Sequence, residues 1–317
     1  MTYIERILAR PKPALPFSIC KADVVGLAFV GSHSHGTYVP PSDPDAIDDV
    51  DFMGAIIPPR EVLLGLQSFE HWTDRWEELD VVLYDFQKFV KLLMNGNPNV
   101  LGLLWLREQD YLLRAPAFQV LIDNRELFNS LRVYESFGGY AAGQLQRMTS
   151  FTPELQAEID TLTVQLIAAG WPLQDVMDGR PLPMPRGMTP DEAKEKAARL
   201  KHLRAKFHSA YMGEKRKRLV LKHGYDTKNA AHLVRLLQMC VEFLERGTLQ
   251  VYREADAPML KDIKAGKWTL DAVRDHAADL SKQTVALAAV STLPKEPPRD
   301  RIDTLVSETL WTHLHSL

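Results

Sequence analysis

Residues 48–59 read Asp-Asp-Val-Asp-Phe-Met-Gly-Ala-Ile-Ile-Pro-Pro, a segment that can fold in few ways. Acid and apolar residues alternate, then an apolar run continues until two prolines stop it, which is the pattern of a strand running from a solvated end into a core. Side chains two apart in a strand share a face, so Asp49 and Asp51 project together while Val50 and Phe52 turn inward. Adjacent like charges repel and are costly to hold together without a cation. Upstream, the apolar run Val24 to Val30 reads as a first strand, followed by Gly31-Ser32-His33-Ser34-His35-Gly36-Thr37. Glycine has no Cβ, so backbone N–H groups in such a turn can approach a phosphate. Hard carboxylate oxygens suit Mg²⁺, which keeps several waters and completes its shell with substrate phosphates. Turn and acid pair together imply a nucleoside triphosphate held on magnesium.

A second acid pair, Asp43 and Asp45, lies in Pro40-Pro41-Ser42-Asp43-Pro44-Asp45, where proline rules out a central strand. Those two read as solvated loop acids, and Asp48 as a cap on the strand or a helper at the metal. A third acid is expected to open a strand of its own. Asp80 does so, ahead of Val81-Val82-Leu83-Tyr84, with Glu77 and Glu78 in the charged lead-in. Its expected role is general base toward an acceptor hydroxyl, together with metal ligation.

Further along, Lys222-His223-Gly224-Tyr225-Asp226-Thr227-Lys228 joins two helical patterns. Gly224 ends the first, and Asp226 or Thr227 caps the second. On the second, Lys228, His232 and Arg235 stand at i, i+4 and i+7 and share a face, which makes a triphosphate clamp near a helix N-terminus.

These blocks resemble the nucleotidyltransferases of the DNA polymerase β superfamily, whose signature is a Gly-Ser turn, a strand carrying Asp-x-Asp and a third acid on a later strand. The interval from Ser32 to Asp49 is longer than is usual there, with the proline-rich insertion from Pro40 to Ile47 filling it. Gly31-Ser32 with Gly36-Thr37, Asp48-Asp49-Val50-Asp51, Lys88-Phe89 through Gly96-Asn97-Pro98, and Gly224 through Lys228 with His232 and Arg235 extend the resemblance to a bacterial and phage branch. That branch is sometimes associated with RNA repair. The resemblance covers about Gly26 to His276. It implies transfer of a nucleoside monophosphate from an NTP to a hydroxyl with release of pyrophosphate. It further implies two Mg²⁺ ions, with Mn²⁺ as the substitute, on Asp49, Asp51 and Asp80, and β- and γ-phosphates cradled by Gly31 and Ser32. His33 and His35 flank the turn as local hydrogen-bonders.

With 317 residues and 45% apolar content, the chain can build two cores. Expected are an α/β nucleotidyltransferase domain over 1–130, a mixed sheet with flanking helices, and a helical domain over 131–317 closing the nucleotide cleft. Helices are expected from Phe86 to Met94 behind an Asp85 cap, from Pro116 to Ser130, from Pro153 to Ala169, from Pro190 to Lys222 and from Thr227 to Arg246. The Pro/Gly-rich stretch from Trp171 to Met188 is a lid or an exposed connection. Cys20 and Cys240 have no metal spacing and read as buried thiols of a reducing, cytoplasmic compartment; no apolar run is long enough to span a membrane.

A net charge of −3 excludes a general polyanion binder, so nucleic acid must meet a local patch. Residues 199–222 supply one, with Lys215, Arg216, Lys217, Arg218 and Lys222 among its cations and Glu214 its single acid. With Tyr225 beside it, this patch is the candidate contact for an RNA 3′ end. Three alternatives stand: the same chemistry on a small molecule or protein; an oligonucleotide synthase; and a silent nucleotide-binding or antitoxin-like module. Three mutually repelling acids argue against the last. The sequence does not fix the oligomeric state.

Overall fold

The computed structural model describes residues 3–9, 23–40, 42–43, 49–76, 79–150, 153–208 and 214–316. Asp45, Asp48, Glu77, Glu78, Cys20 and Tyr211 lie outside them, as do the side chains of Lys215, Arg216 and Lys217.

Five strands form one mixed sheet: β1 (Val24–Val30), β2 (Val50–Ile56), β3 (His71–Trp76), β4 (Leu79–Asp85) and β5 (Tyr111–Arg114), in the order β3-β4-β2-β1-β5. β2 and β4 run parallel, and the other neighbouring pairs are antiparallel. β1, β2 and β4 follow the expected segments to within a few residues. β3 was not anticipated. It is an edge strand in which Trp72 is buried between exposed His71 and Thr73, so its sequence lacks the apolar alternation that betrays a half-buried strand.

Alternation divides the sheet's two faces. Phe52, Leu79, Val81 and Leu83 pack with Trp72 and with Ile7 of the helix Tyr3–Ala9. Tyr3, Phe29 and Phe52 form a ring cluster there, with centroids 5.0–5.7 Å apart. On the opposite face, Val25 and Ala55 join Phe86, Phe89 and Val90 of the helix Phe86–Met94 in the main core. Asp85 caps that helix, its carboxylate accepting from the Lys88 N–H at 3.0 Å. Leu236, Met239, Cys240 and Phe243 of the helix Thr227–Arg246 enter the same core, as do Ile302 and Leu310 of the helix Arg299–His315. Burial pushes the Cys240 thiol up to about 12, an inert side chain in a dry core.

By contact, the chain divides into two compact units, one made of residues 1–141, 234–262 and 274–317 and the other of 142–233 and 263–273. The second unit is helical. Its core joins Ile159 and Leu166 of the helix Pro153–Ala168 to Ala193, Ala197, Leu200 and Leu203 of the helix Pro190–His208. Of the helix expected over Pro190 to Lys222, the described residues form Pro190–His208 and Glu214–His223, and residues 209–213 lie outside them. Two expectations are corrected beside it. The helix expected over Pro116 to Ser130 stops at Asp123 and resumes as a 3₁₀ turn, Arg125–Phe128. The stretch after Trp171 contains a helix, Leu173–Asp178, and is buckled to the core by Trp171, whose indole N–H donates to the Pro183 carbonyl at 2.8 Å. Among the described residues, no helix is long and apolar enough to cross a membrane.

Phe118 tests the main core. It is fully buried, with ring centroids 5.5 Å from Phe89 and 6.4 Å from Tyr111. Phe118→Ala should lower the unfolding free energy by about 3–5 kcal/mol, read from urea denaturation.

Candidate active site

Strand register assembles the site. In the parallel pair Asp51 stands opposite Asp80; across β3/β4 Arg75 stands opposite Asp80; across β1/β2 Val30 stands opposite Asp51. Register partners project to the same face, so Arg75, Asp80, Asp51 and the end of β1 form one row across four strands. Val50, Phe52, Leu79 and Val81 face the other way and are buried, which fixes the face the acids occupy.

The Gly31 turn closes on this row. Gly31 follows Val30 with φ +63°, a left-handed conformation that disfavours other residues. A Cβ there would also run into the Asp51 carboxylate. The turn winds through the short helix Gly31–Ser34 and is held by the Thr37 N–H donating to the Ser32 carbonyl at 2.9 Å. Ser34 Oγ donates to the Gly31 carbonyl at 3.1 Å, whereas Ser32 Oγ is shielded from solvent and finds no hydrogen-bond partner. A buried hydroxyl without a partner among the described residues is an exception in a folded protein, and this one stands beside the glycine turn.

Sequence reasoning missed the clamp behind the turn. His35 Nδ1 lies 3.0 Å from the Val251 carbonyl, and because a carbonyl can only accept, Nδ1 carries the proton. Arg253 N–H donates back to the His35 carbonyl at 3.2 Å, and the Tyr252 ring sits so close to Gly36 that a Cβ there would fall 2.8 Å from it. Arg107 stacks 3.5 Å over Tyr252 and bonds Asp110 in bidentate fashion, both contacts at 2.9 Å. His33 stacks on Tyr38 at 3.8 Å. Both histidines brace the turn.

Asp49 lies immediately before β2, and Arg75 Nη2 donates to its Oδ2. Among the described residues, no group of three His, Cys, Asp or Glu side chains stands gathered as a metal cage. The donor chemistry nonetheless fits a hard divalent cation. Three carboxylate residues stand at one sheet end, two of them register partners and the third two residues before Asp51.

The helix Thr227–Arg246 carries the expected basic stripe. Lys228, His232, Arg235 and Gln238 are partly accessible, while Asn229, Ala230, Ala231, Leu233, Val234, Leu236 and Leu237 between them are buried. Arg235 lies deep in the protein without being sealed from solvent. Burial, then repulsion from Arg253, pushes its pKa down to about 9. Its Nη1 has the Met239 thioether as a partner at 3.3 Å, a weak acceptor. Arg253, by contrast, pairs with Glu242 at 2.5 Å and with Asp256.

Asp226, fully buried, starts the helix by accepting from the Asn229 backbone N–H at 3.0 Å. Thr227 Oγ1 donates to the Lys264 carbonyl at 2.8 Å. Tyr225 is buried with its hydroxyl donating to the Trp268 carbonyl at 2.6 Å, the geometry of a brace for the helix start. Arg218 and Lys222 are exposed on the helix Glu214–His223.

Over residues 20–308 the chain matches RlaP, the RNA repair pathway DNA polymerase beta family. The chain belongs to this family. It is therefore a polymerase β-like nucleotidyltransferase, and the match takes in the Gly31 turn, the three acids and the helix Thr227–Arg246 together. It is also similar to an uncharacterized 38.9 kDa protein from the nrdC-mobD intergenic region of Enterobacteria phage T4. The two are 24% identical over 307 residues, covering 82% of this chain and 88% of the phage protein. A nucleotidyltransferase-like protein from Exiguobacterium sibiricum is similar in structure at a TM-score of 0.27 and 10% identity, covering 99% of this chain and 78% of that one.

Two substitutions probe this geometry. Gly31→Ala forces a side chain into a left-handed position and against Asp51. It should cost about 1–2 kcal/mol of stability in thermal melts, and about 10²-fold in nucleotidyl transfer if Asp51 is displaced by an ångström. Arg235→Met removes a charge that lacks a carboxylate partner among the contacts described above. It should raise stability by on the order of 1 kcal/mol, and in thermal melts added pyrophosphate should raise the Tm of the parent protein but not of the variant.

Proposed function

We propose that this protein transfers a nucleoside monophosphate from an NTP to the 3′ hydroxyl of RNA, releasing pyrophosphate, with Mg²⁺ on Asp49, Asp51 and Asp80. The observation that carries the reading is the row itself: a glycine turn packed against Asp51, with Asp80 its register partner. When bound, two divalent cations supply charge stabilisation for the attacking and leaving oxygens. The chain's own residues do the rest. Gly31 brings backbone close to the β- and γ-phosphates without steric cost, and Ser32 Oγ gains there the partner it lacks in the protein. Asp80 takes the proton of the attacking hydroxyl as general base.

Lys228, His232 and Arg235 counter the charge that develops on pyrophosphate. Arg235 is suited to this, because a polyphosphate would give its guanidinium the anionic partner that its setting calls for. The RNA acceptor is supported by the family's place in RNA repair and by the cations of residues 199–222, including exposed Arg218 and Lys222. Such contacts neutralise phosphates irrespective of sequence and weaken with salt.

Incubation with each α-³²P-labelled NTP, Mg²⁺ and total cellular RNA tests the reading. Label should move onto RNA with the parent protein and not with Asp49→Ala/Asp51→Ala. Neutralising residues 215–218 should weaken RNA binding and flatten its salt dependence while leaving pyrophosphate release intact. Pyrophosphate release without labelled RNA would move the acceptor to another class, and neither signal would reject the reaction.

A further inference from the structure

The row holds a residue that nucleotidyl transfer leaves unassigned. Arg75 stands opposite Asp80 on the edge strand β3, and its Nη2 donates to Asp49 Oδ2. Its side chain is 61% exposed, against 15% for Asp49. The guanidinium occupies a lone pair that a cation would need, and its charge raises the cost of bringing a second positive centre to the same carboxylate. An exposed ion pair of this kind is weak and readily exchanged. The pairing coincides with the absence of a gathered three-carboxylate cage among the described residues.

We propose that Arg75 and the divalent cation compete for Asp49. The guanidinium neutralises the carboxylate in the resting protein and yields it when the cation arrives with the nucleotide, so that Arg75 is a positioning residue that sets how tightly the site takes metal. The inference rests on the metal-dependent reading above and adds a sign to it. Were Arg75 instead a support that orients Asp49 for ligation, its removal would weaken metal binding.

The experiment is titration of the full chain with Mn²⁺, followed by the electron paramagnetic resonance signal of the free ion, with and without NTP. Arg75→Met should bind Mn²⁺ about two- to fivefold more tightly than the parent, Arg75→Lys should stay near the parent, and the gain should vanish when Asp49→Asn is added. Far-UV circular dichroism melts verify folding of each variant, and because Arg75→Lys retains the charge, its titration separates loss of pairing from loss of structure. Unchanged or weaker binding by Arg75→Met overturns the proposal, as does an equal gain in the Asp49→Asn background. Failure of the parent and of Arg75→Met to bind Mn²⁺ even with NTP present would reject the metal-dependent reading and the competition with it. A normal affinity that Arg75→Met does not move rejects the competition alone.

Discussion

Placing three acidic residues at one end of a sheet is the constraint around which this structure is organised. Asp51 and Asp80 are register partners on parallel strands, and Asp49 precedes Asp51 by two residues. Left to themselves, such charges would favour a looser strand end. They are held because the opposite faces of the same strands are committed: Val50, Phe52, Leu79, Val81 and Leu83 are buried against Trp72 and Ile7. A slip of one residue in either strand would expose that apolar set and bury the acids, so the packing behind the sheet enforces the charge cluster in front of it. Arg75, on the edge strand, supplies a countercharge to Asp49. The fold thereby maintains an arrangement whose electrostatics improve when cationic partners arrive.

The glycine turn depends on that arrangement as well. Gly31 packs directly on the Asp51 carboxylate, and its left-handed backbone starts the turn that ends at Thr37. Local chemistry alone would leave seven residues with two glycines mobile. Residues distant in sequence pin them: the Val251 carbonyl takes the His35 imidazole N–H, Arg253 bonds the His35 carbonyl, and Tyr252 fills the space beside Gly36. Arg253 is in turn fixed by Glu242 and Asp256. Rigidity at the turn is thus supplied by a buried ion-pair network on another element, which suits a loop that must present backbone N–H groups in a preset geometry.

Much of this was legible in the chain. Strands β1 and β4 announce themselves by apolar runs and β2 by alternating acids ahead of one, and Asp85 and Gly224 mark a helix start and a helix end. Asp51 and Asp80 were each placed at the start of an apolar strand, and the structure makes them register partners. What escaped was whatever depends on register between distant segments. β3 carries too few buried side chains to be seen as a strand, so Arg75 read as one charge among several until the sheet placed it opposite Asp80. The clamp at Val251 to Arg253 has no local signature either: its tyrosine and arginine gain meaning only from contact with a turn over 200 residues upstream.

The contrast between Arg235 and Arg253 carries the argument from structure toward chemistry. Both guanidiniums belong to the same compact unit and repel one another. Arg253 is compensated twice over, by Glu242 and Asp256, and serves the architecture. Arg235 contacts the thioether of Met239 and loses basicity to burial. A buried cation matched to a sulfur atom is a poor solution for stability, since an apolar side chain of similar volume would fill the same space without the desolvation cost. It stands on the partly accessible stripe of the helix that Lys228 and His232 share, where the proposed reaction would bring a polyanionic counterion. Ser32, with its orphaned hydroxyl, presents the same economy in a neutral group. Two groups of different kinds, a hydroxyl beside the glycine turn and a guanidinium on the helix, are thus left short of a strong partner among the described residues.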